Sequence, residues 1–237
     1  MSYNYTGFVT AFANLLVIPT TDPNFQTMVP SAIDYSEQRI YRDLDLLNAI
    51  VVDTGGNLTP NNRNFTLPQT AGRFVGTESI NVFTPAGSTT NRNALVPISR
   101  ESLDYFWGND AAPTSPSVPT YYAMTTDQTI LVGPPPDAAY TMEVKGWIRP
   151  TPLSATNTTT YLTLYLPDLF LSAAMIFGSG YQLNFSAMGD NPQQAQSWET
   201  QYGKELVSAN TEEMRKRYGS QAWTAKQPDA IATPPRA

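Results

Sequence analysis

Apolar and polar side chains alternate with a helical period most clearly between residues 30 and 49. Apolar positions recur there at intervals of three, four or seven residues, which places them on one face of an amphipathic helix. The apolar positions are Ile33, Ile40, Leu44 and Leu47, and the polar positions opposite are Asp34, Gln38, Arg42 and Asp45. Ser31 is a suitable N-cap, and residues 53–57 contain a helix-breaking Gly-Gly pair. The pattern predicts one helix from Ser31 to about Ala49.

Three more helices are predicted on either side of a proline-rich middle region. A short one covers residues 8–17 and is followed by turn-forming residues at 20–24. A second begins at Pro167, because proline suits the first position of a helix. A third runs from Pro192 to about Tyr218, where the next residue is a glycine that can end it.

Residues 51–160 change to a β pattern. Runs rich in β-branched and aromatic residues predict short strands there. These runs are residues 73–83, 94–98, 120–124, 128–132 and 140–148. A short helix is predicted at residues 100–107, because Ser99 is a good N-cap and Gly108 a good stop. The block is therefore predicted to be a small antiparallel β domain.

The order of these elements predicts an α+β fold in which the β block is inserted into a helical body. Residues 1–50 and 161–219 would form an antiparallel helical bundle, and residues 51–160 would form the inserted β domain. Residues 220–237 contain three prolines and little that could pack, so an extended C-terminal tail is predicted there.

The composition points towards assembly. Charged residues make up only 14% of the chain, against about 25% in typical soluble proteins. Such a low share is common where neighbouring subunits cover the surface, and Thr-rich β domains show the same bias. The net charge of -6 argues against a sequence-independent grip on nucleic acid but allows DNA to slide past an acidic wall. Arginine outnumbers lysine by ten to four, which suits planar, bidentate pairs at interfaces.

Candidate catalytic chemistry is sparse. The chain contains no histidine and no cysteine, which excludes Ser-His catalysis, disulfides and thiolate metal sites. Four carboxylates that a hydrolase could use lie on different predicted elements without a motif; they are Glu37, Asp43, Asp104 and Glu143. No catalytic, cofactor-binding or metal-binding residue is assigned, and no cofactor is expected. The apolar stretch at residues 8–18 is too short and interrupted to span a bilayer, so no membrane partner is expected.

Four sequence blocks, in order along residues 29–218, resemble the head-to-tail adaptor (neck) proteins of tailed phages. The first is Glu-x-Arg-Ile-x-Arg-Asp-Leu at residues 37–44, and the second is Ile-Ser-Arg-Glu-Ser-Leu at residues 98–103. The third leads from Pro-Thr-Tyr-Tyr at residues 119–122 through a Gly-Pro-Pro-Pro run. The fourth contains Leu-Pro-Asp-Leu at residues 166–169 and continues into the final helices.

The resemblance implies a structural virion protein and not an enzyme. Such a protein docks on the portal protein and forms a ring of its own copies, expected to be a dodecamer, that extends the DNA channel. Packaged DNA would pass through the lumen without specific binding. The ring would offer an attachment surface to tail, nozzle or fibre proteins. The expected location is the neck or tail of the virion, after assembly in the host cytoplasm.

Seven residues are candidates for the portal or subunit interface. They are Arg39, Arg42, Asp43, Arg215, Arg217, Tyr218 and Trp223. The first three lie in the block at residues 37–44 that resembles the family. The two aromatic residues flank a basic helix end and have no predicted local core, which favours an interface. The resemblance further implies that residues 215–237 form an arm that faces the portal.

Two other functions stay open from the sequence. A fibre-type or carbohydrate-binding virion β module would explain the Thr- and Asn-rich middle region and the aromatic residues Trp107, Tyr121 and Tyr122. It explains poorly why long helices flank that region on both sides. A carboxylate-based hydrolase is the third hypothesis.

Overall fold

The computed structural model describes residues 2–108, 115–181 and 192–218. Within them the chain forms six α-helices and eight β-strands in two four-stranded sheets, so the predicted mixed α+β class is confirmed. The described residues divide into two compact units. The helical unit comprises those up to Leu47 and from Pro152 onward, and the β unit comprises Asn48–Thr151.

Helix α5 is the centre of the helical unit. The helices are α1 (Tyr5–Leu16), α2 (Pro23–Asp43), α3 (Arg100–Trp107), α4 (Tyr161–Tyr165), α5 (Pro167–Tyr181) and α6 (Pro192–Tyr218). All except α3 belong to the helical unit, and α5 packs against α1, α2, α4 and α6. Phe170 of α5 lies 4.6 Å from Phe8 of α1 between ring centres. Gly178 lets α1 approach closely, because a Cβ there would lie 2.9 Å from the ring of Phe12.

The start of α2 differs from the prediction. The helix begins at Pro23, because the Asp22 carboxylate caps it by accepting hydrogen bonds from two amides of the first turn at 2.8 and 3.0 Å. Residues 20–24 are therefore not a plain turn, and Ser31 is not the N-cap. Pro30 lies on an exposed face inside the helix.

The end of α2 also differs from the prediction, whereas its two faces agree with it. The helix ends at Asp43, and a separate 3-10 turn forms at Leu47–Ala49, so the predicted end near Ala49 is wrong. Ile33 and Ile40 are buried, and the polar residues of the opposite face are exposed. Leu44 is buried just beyond the helix, whereas Leu47 is 42% exposed, so its predicted place on the apolar face is wrong. The helices predicted at residues 8–17, from residue 167 and from residue 192 to 218 are confirmed as α1, α5 and α6.

The β unit is built from two sheets that share one apolar core. The strands are β1 (Ile50–Asn57), β2 (Asn64–Thr66), β3 (Gly72–Thr84), β4 (Asn91–Ala94), β5 (Val96–Pro97), β6 (Tyr121–Met124), β7 (Thr129–Gly133) and β8 (Thr141–Pro150). The sheet orders are β1-β8-β3-β4 and β2-β7-β6-β5. All pairings are antiparallel except that of β5 with β6, which is parallel. The prediction of an antiparallel domain is therefore wrong at that edge. The core takes residues from both sheets, among them Phe65, Ile80, Ile130, Val132, Met142 and Val144.

Residues 53–57, predicted as a break, belong to strand β1. The pairing with β8 slips between Asp53 and Gly56, so a bulge accommodates the Gly-Gly pair. The Asp53 carboxylate stabilises the bulge by accepting a hydrogen bond from the amide of Gly55 at 2.7 Å. A Cβ at Gly56 would lie 2.5 Å from the ring of Phe65. Gly55 therefore forms part of the bulge, and Gly56 leaves room for the ring of Phe65.

Candidate assembly surfaces

Arg39 ties α2 to α6. Its guanidinium pairs with both carboxylate oxygens of Glu199 and lies 4.3 Å from the ring centre of Tyr202. The hydrogen bond to Glu199 raises the pKa of Arg39 above its usual range. A bidentate pair that also stacks on an aromatic ring uses the planar guanidinium in a way that lysine does not reproduce. This contact therefore fixes the two helices against each other.

Two further contacts join α6 to the end of α2 and the residues after it. Asp43 accepts a hydrogen bond from the hydroxyl of Tyr202 at 2.8 Å, and burial together with this bond raises the pKa of Tyr202. Arg217 bonds both the carboxylate and the backbone oxygen of Asp45 at 2.6 Å. Arg39, Asp43 and Arg217, three of the predicted interface residues, thus lie in contacts within the chain.

Arg42 and Arg215 are exposed. Arg42 donates from its Nε to the backbone oxygen of Gln38 at 3.0 Å, and neither arginine forms an ion pair with a described residue. Tyr218 is the last residue of α6. Trp223, with the rest of the predicted portal-facing arm beyond Tyr218, lies outside the described residues.

Two buried glutamates hold the chain near the borders of the helical unit, a role that sequence analysis did not assign. Glu213 of α6 accepts a hydrogen bond from the amide of Leu47, and Glu37 of α2 accepts one from the amide of Leu153, both at 3.0 Å. The partners lie 166 and 116 residues apart in the sequence, so no local pattern identifies them. The one available signal is that Glu37 falls at helical spacing within the apolar stripe of α2.

A small acidic cleft lies between the junction of α4 with α5 and the side of α6. Its volume is about 140 Å³. Tyr165, Pro167 and Ala209 contribute apolar walls, and the carboxylates at the cleft belong to Asp168, Glu205 and Glu212. Glu212 is paired with Lys216 at 2.8 Å. Asp168 is exposed and forms no ion pair with a residue in the described ranges.

In the β unit, α3 and β6 carry an exposed aromatic surface, which we define as Tyr105, Phe106, Trp107 and Tyr121. Helix α3 has the predicted bounds and the predicted N-cap. Tyr105 is 85% exposed and Phe106 is 64% exposed. Trp107 stacks on Tyr121 with 6.0 Å between the ring centres. Rings of this size exposed together on one surface are typical of binding sites.

Rigid groups beneath the aromatic surface hold it in place. The almost fully buried Arg63 donates to the backbone oxygen of Trp107 at 2.5 Å and to the carboxylate of Asp104 at 3.0 Å. Gly133 of β7 allows the indole to lie close, because a Cβ there would be 2.7 Å from the Trp107 ring. Sequence analysis missed Arg63 because its partners are 41 and 44 residues away.

The four carboxylates considered for hydrolysis lie in separate hydrogen-bonded settings. Glu37 bonds a backbone amide and Asp43 bonds a tyrosine hydroxyl. Asp104 lies between two arginines. Glu143 accepts hydrogen bonds from Asn81 at 2.7 Å and from Arg92 at 2.6 Å. Among the bonds of the described residues no two of these carboxylates share a partner, and each carboxylate has at least one bond that joins two segments of the fold.

Long-range ion pairs thus hold the helical unit together, and the β unit carries a supported aromatic surface. The family model described as SU10 adaptor protein matches residues 3–225. Because the match covers nearly the whole chain, the chain belongs to the SU10 adaptor protein family, as the resemblance to phage head-to-tail adaptors predicted. No match is found among curated protein sequences.

Family membership makes the protein a structural head-to-tail adaptor of a bacteriophage virion. The family is a structural one and not a class of enzymes. Membership implies interaction with portal and tail proteins and a place in the neck of the virion. In the part of the chain that the structure describes, no helix is both long and apolar enough to cross a membrane.

Proposed function

We propose that the protein forms a dodecameric ring under the portal, extends the DNA channel and provides the surface to which tail or nozzle proteins attach. Residues 1–50 and 161–219 act as the ring-forming body, an antiparallel helical bundle, and residues 51–160 act as the inserted domain. Residues 220–237 act as the arm that reaches the portal. The match of the adaptor family over residues 3–225 is the observation that carries this proposal. The net charge of -6 supports passage of DNA without specific binding.

The geometry of the helical unit supports a division of roles among the candidate interface residues. Arg39, Asp43 and Arg217 already have partners within the chain, so they keep α6 in place against α2. Arg42 and Arg215 keep their charges exposed and can pair with carboxylates of the portal or of a neighbouring copy. Tyr218 and Trp223 would add the large aromatic area that dominates many interfaces.

The aromatic surface of the β unit is our candidate for the attachment of tail or nozzle proteins. Aromatic residues that are exposed in the free protein and rigidly supported from below contribute strongly when a partner buries them. Tyr105 and Phe106 are the most exposed of the four. Their joint replacement by alanine should weaken attachment of the next component and leave portal binding unchanged.

The deciding experiment is the mass of the purified protein in solution, alone and mixed with the portal protein of the same phage. We expect a monomer alone and a stoichiometric ring on the portal, and we expect deletion of residues 220–237 to abolish the ring. Arg42→Ala with Arg215→Ala should weaken portal-dependent assembly several-fold. Lys204→Ala is the matched control, because Lys204 is also an exposed cation of α6. A protein that ignores the portal, or that forms a stable trimer alone, contradicts the proposal.

A fibre-type or carbohydrate-binding module is the second candidate function, and the stacked pair of Trp107 and Tyr121 favours it. The apolar face of a sugar ring packs well on exposed aromatic rings. Binding of the chain to host surface polysaccharide should be compared with binding to purified tail proteins. Polysaccharide binding that is lost in Tyr105→Ala with Phe106→Ala would support this candidate. Binding to tail proteins alone would support the adaptor ring.

A further inference from the structure

The sheet with the order β1-β8-β3-β4, which we call sheet 1, ends on each side in a strand with a free edge. Among the described residues, β1 pairs only with β8, and β4 pairs only with β3. The backbone of residues 50–53 and 91–94 forms no hydrogen bond with any other described segment. Because a free edge offers N–H and C=O groups to another strand, sheet 1 can be extended from both sides.

The first half of β1 lacks the usual guards of a free edge, which are charges, prolines, bulges and very short strands. The edges of the other sheet have such guards, since β2 has three residues, and β5 has two residues that include Pro97. Strand β1 begins with Ile-Val-Val at residues 50–52 and contains no lysine, arginine or proline. Its bulge starts only after Asp53. The side chain of Val52 is 53% exposed, so this edge is both open and apolar.

Strand β4 carries a single charge, which is held over the sheet and away from the free edge. Arg92 pairs with the buried Glu143 of β8 at 2.6 Å, and its guanidinium lies 5.5 Å from the ring centre of Phe83 on β3. Both partners belong to the inner strands of sheet 1. All four residues of β4 are exposed. The backbone of β4 is therefore accessible to another strand.

The two edges fit each other in direction and in length. Every pairing in sheet 1 is antiparallel, so β4 runs opposite to β1. The rotation of a ring brings the β4 edge of one copy beside the β1 edge of the next without turning the sheet over, and the two strands are then antiparallel. Residues 50–53, before the bulge of β1, match the four residues of β4 in length.

The side chains on the two edges also fit each other. Val51 and Leu95 pack on the core side of sheet 1. Because successive side chains of a strand alternate between the faces, Val52, Arg92 and Ala94 lie on the outer face. Opposite residues of an antiparallel pair share one face, so a register with Val52 opposite Arg92 keeps the core side and the outer side continuous. The aliphatic part of the arginine then covers the exposed valine.

We propose that in the ring the β1 edge of each copy pairs with the β4 edge of the next, so that sheet 1 continues from copy to copy. This contact rests on the proposed function, since it presupposes the ring, and it adds a second contact to that of the helical body. Pairing of two different edges is head-to-tail and can close into a ring, whereas pairing of two β1 edges gives only a dimer. In a dodecamer with a strand spacing of about 4.8 Å, the four strands of each copy form a circle about 70 Å across, wide enough for a DNA channel.

A lysine on the β1 edge tests the pairing. Val52→Lys places a cation opposite Arg92 of the next copy and guards the edge, so ring formation on the portal should fall about tenfold. Val75→Lys is the matched control, because Val75 is 62% exposed but lies on β3, an inner strand of the same sheet. Its ring should form as in the natural chain. The mass of the portal complex measures the difference, and equal ring formation in the two variants would overturn the proposal.

Introduced cysteines test the register without background, because the chain has none of its own. Ile50→Cys with Ala94→Cys places two thiols opposite each other across the proposed contact. Within one chain these positions are three strand spacings apart, about 14 Å, which is too far for a disulfide, so every bond joins two copies. Oxidation of the ring on the portal should link the chains up to the full ring, whereas the control pair of Val75→Cys with Ala94→Cys should stay largely unlinked. Disulfide dimers of Ile50→Cys alone would show that β1 pairs with β1 and would overturn the proposal.

The edge pairing and the proposed function can fail separately. If the chain forms a ring on the portal but the cysteines at residues 50 and 94 do not link, the edge pairing is wrong and the proposed function stands. If the chain does not join the portal, the proposed function fails. Oxidation of the concentrated free chain then decides the edge pairing, because open series of linked copies support it and monomers overturn it.

Discussion

The chain leaves the helical unit after Leu47 and re-enters it at Pro152, and a buried glutamate lies close to each of these two places. At the first place, which we call the Leu47 site, Glu213 accepts a hydrogen bond from the amide of Leu47. At the second place, which we call the Leu153 site, Glu37 accepts a hydrogen bond from the amide of Leu153. The donor–acceptor distance is 3.0 Å at both sites. Both glutamates are almost inaccessible to solvent. The two sites satisfy a backbone N–H in the same way but differ in their surrounding charges.

At the Leu47 site the carboxylate is surrounded by donors. Lys216 lies 2.8 Å and the Tyr161 hydroxyl 3.2 Å from its Oε1. Burial acts to raise the pKa of Glu213, but the hydrogen bonds from Lys216 and from the Leu47 amide lower it below its ordinary value. Partial burial likewise acts to lower the pKa of Lys216, yet its bonds to the glutamates raise it. The pair therefore stays ionised at neutral pH.

At the Leu153 site no described cation bonds the carboxylate. Burial raises the pKa of Glu37 from 4.5 to about 7; the Leu153 amide offsets part of this, and the negative charge of Asp34 adds to it. The comparison teaches that one backbone contact, made twice by the same residue type, is insensitive to pH near neutrality only where a cation pairs with the buried carboxylate.

Replacing Glu213 with alanine should have the largest effect on stability. The change leaves the Leu47 amide and the Tyr161 hydroxyl without an acceptor and removes the buried partner of Lys216. Leaving each of the two donors unsatisfied costs about 1–3 kcal/mol. Urea unfolding followed by far-ultraviolet circular dichroism measures the loss. This signal reports mainly the helical unit, which contains five of the six described helices.

Glu212→Ala is the matched control for that prediction. Glu212 bonds the same ammonium group at 2.8 Å, but its side chain is 52% exposed, against 4% for Glu213. An exposed pair of this kind contributes less than about 0.5 kcal/mol. Similar losses in the two variants would show that burial is not the source of the strength of the Leu47 site.

The Leu153 site should make the fold less stable as the pH rises towards neutrality. Glu37 is protonated in both states below its unfolded pKa of 4.5, so it then carries no electrostatic penalty. Between that value and its folded pKa of about 7 the native state binds more protons than the unfolded state, so stability falls as pH rises. Above the folded pKa the penalty is constant at about 3 kcal/mol.

Glu37→Gln measures this penalty, because glutamine keeps the shape and the acceptor oxygen without the charge. We expect the variant to be about 3 kcal/mol more stable than the natural chain at about pH 8 and equally stable at about pH 4. Glu213→Gln provides the contrast, because Lys216 there loses the buried one of its two ionised partners and the fold should become less stable at about pH 8. If both glutamines shift the urea midpoint in the same direction, the distinction between the two sites is wrong.

Elements whose signals are local could be predicted from the sequence. Helix α3 has its expected bounds because Ser99 and Gly108 flank it directly. The errors fell where one local signal has two structural meanings. Ser31 suggests a helix start, but it lies inside a helix already begun at the Asp22 cap. The Gly-Gly pair suggests a break, but a bulge keeps it within β1.

The candidate site was less predictable, because its contacts join residues far apart in sequence. Arg39 and Arg217 stand out in the sequence, yet their acidic partners are 160 and 172 residues away. The sequence therefore could not distinguish a pair inside the chain from a pair across an interface. Glu37 was recognisable as an acid within an apolar stripe, whereas Glu213 lies among other charged residues of α6 and carries no such signal.

Tyr161→Phe should separate the hydroxyl from the ammonium at the Leu47 site. The change removes the hydrogen bond that the hydroxyl donates to Glu213 and the one that it accepts from Lys216, and it leaves the ion pair between those two residues. We expect a loss of about 1 kcal/mol in urea unfolding. Tyr165→Phe is the control, because Tyr165 stacks on Tyr161 but is largely exposed. A loss as large as that in Glu213→Ala would mean that the hydroxyl, and not the cation, holds the site.

Asp34→Asn should have the smallest effect, and it acts on the Leu153 site alone. Asp34 is exposed, and its charge is the last of the three contributions to the pKa of Glu37, after burial and the Leu153 amide. Removing that charge should lower the midpoint of the pH-dependent stability only slightly, because solvent screens exposed charges. The same change in the Glu37→Gln background should leave the pH profile unaltered. If the midpoint does not move, burial and the Leu153 amide together set the pKa of Glu37, and the contrast between the two sites then rests wholly on the ammonium group of Lys216.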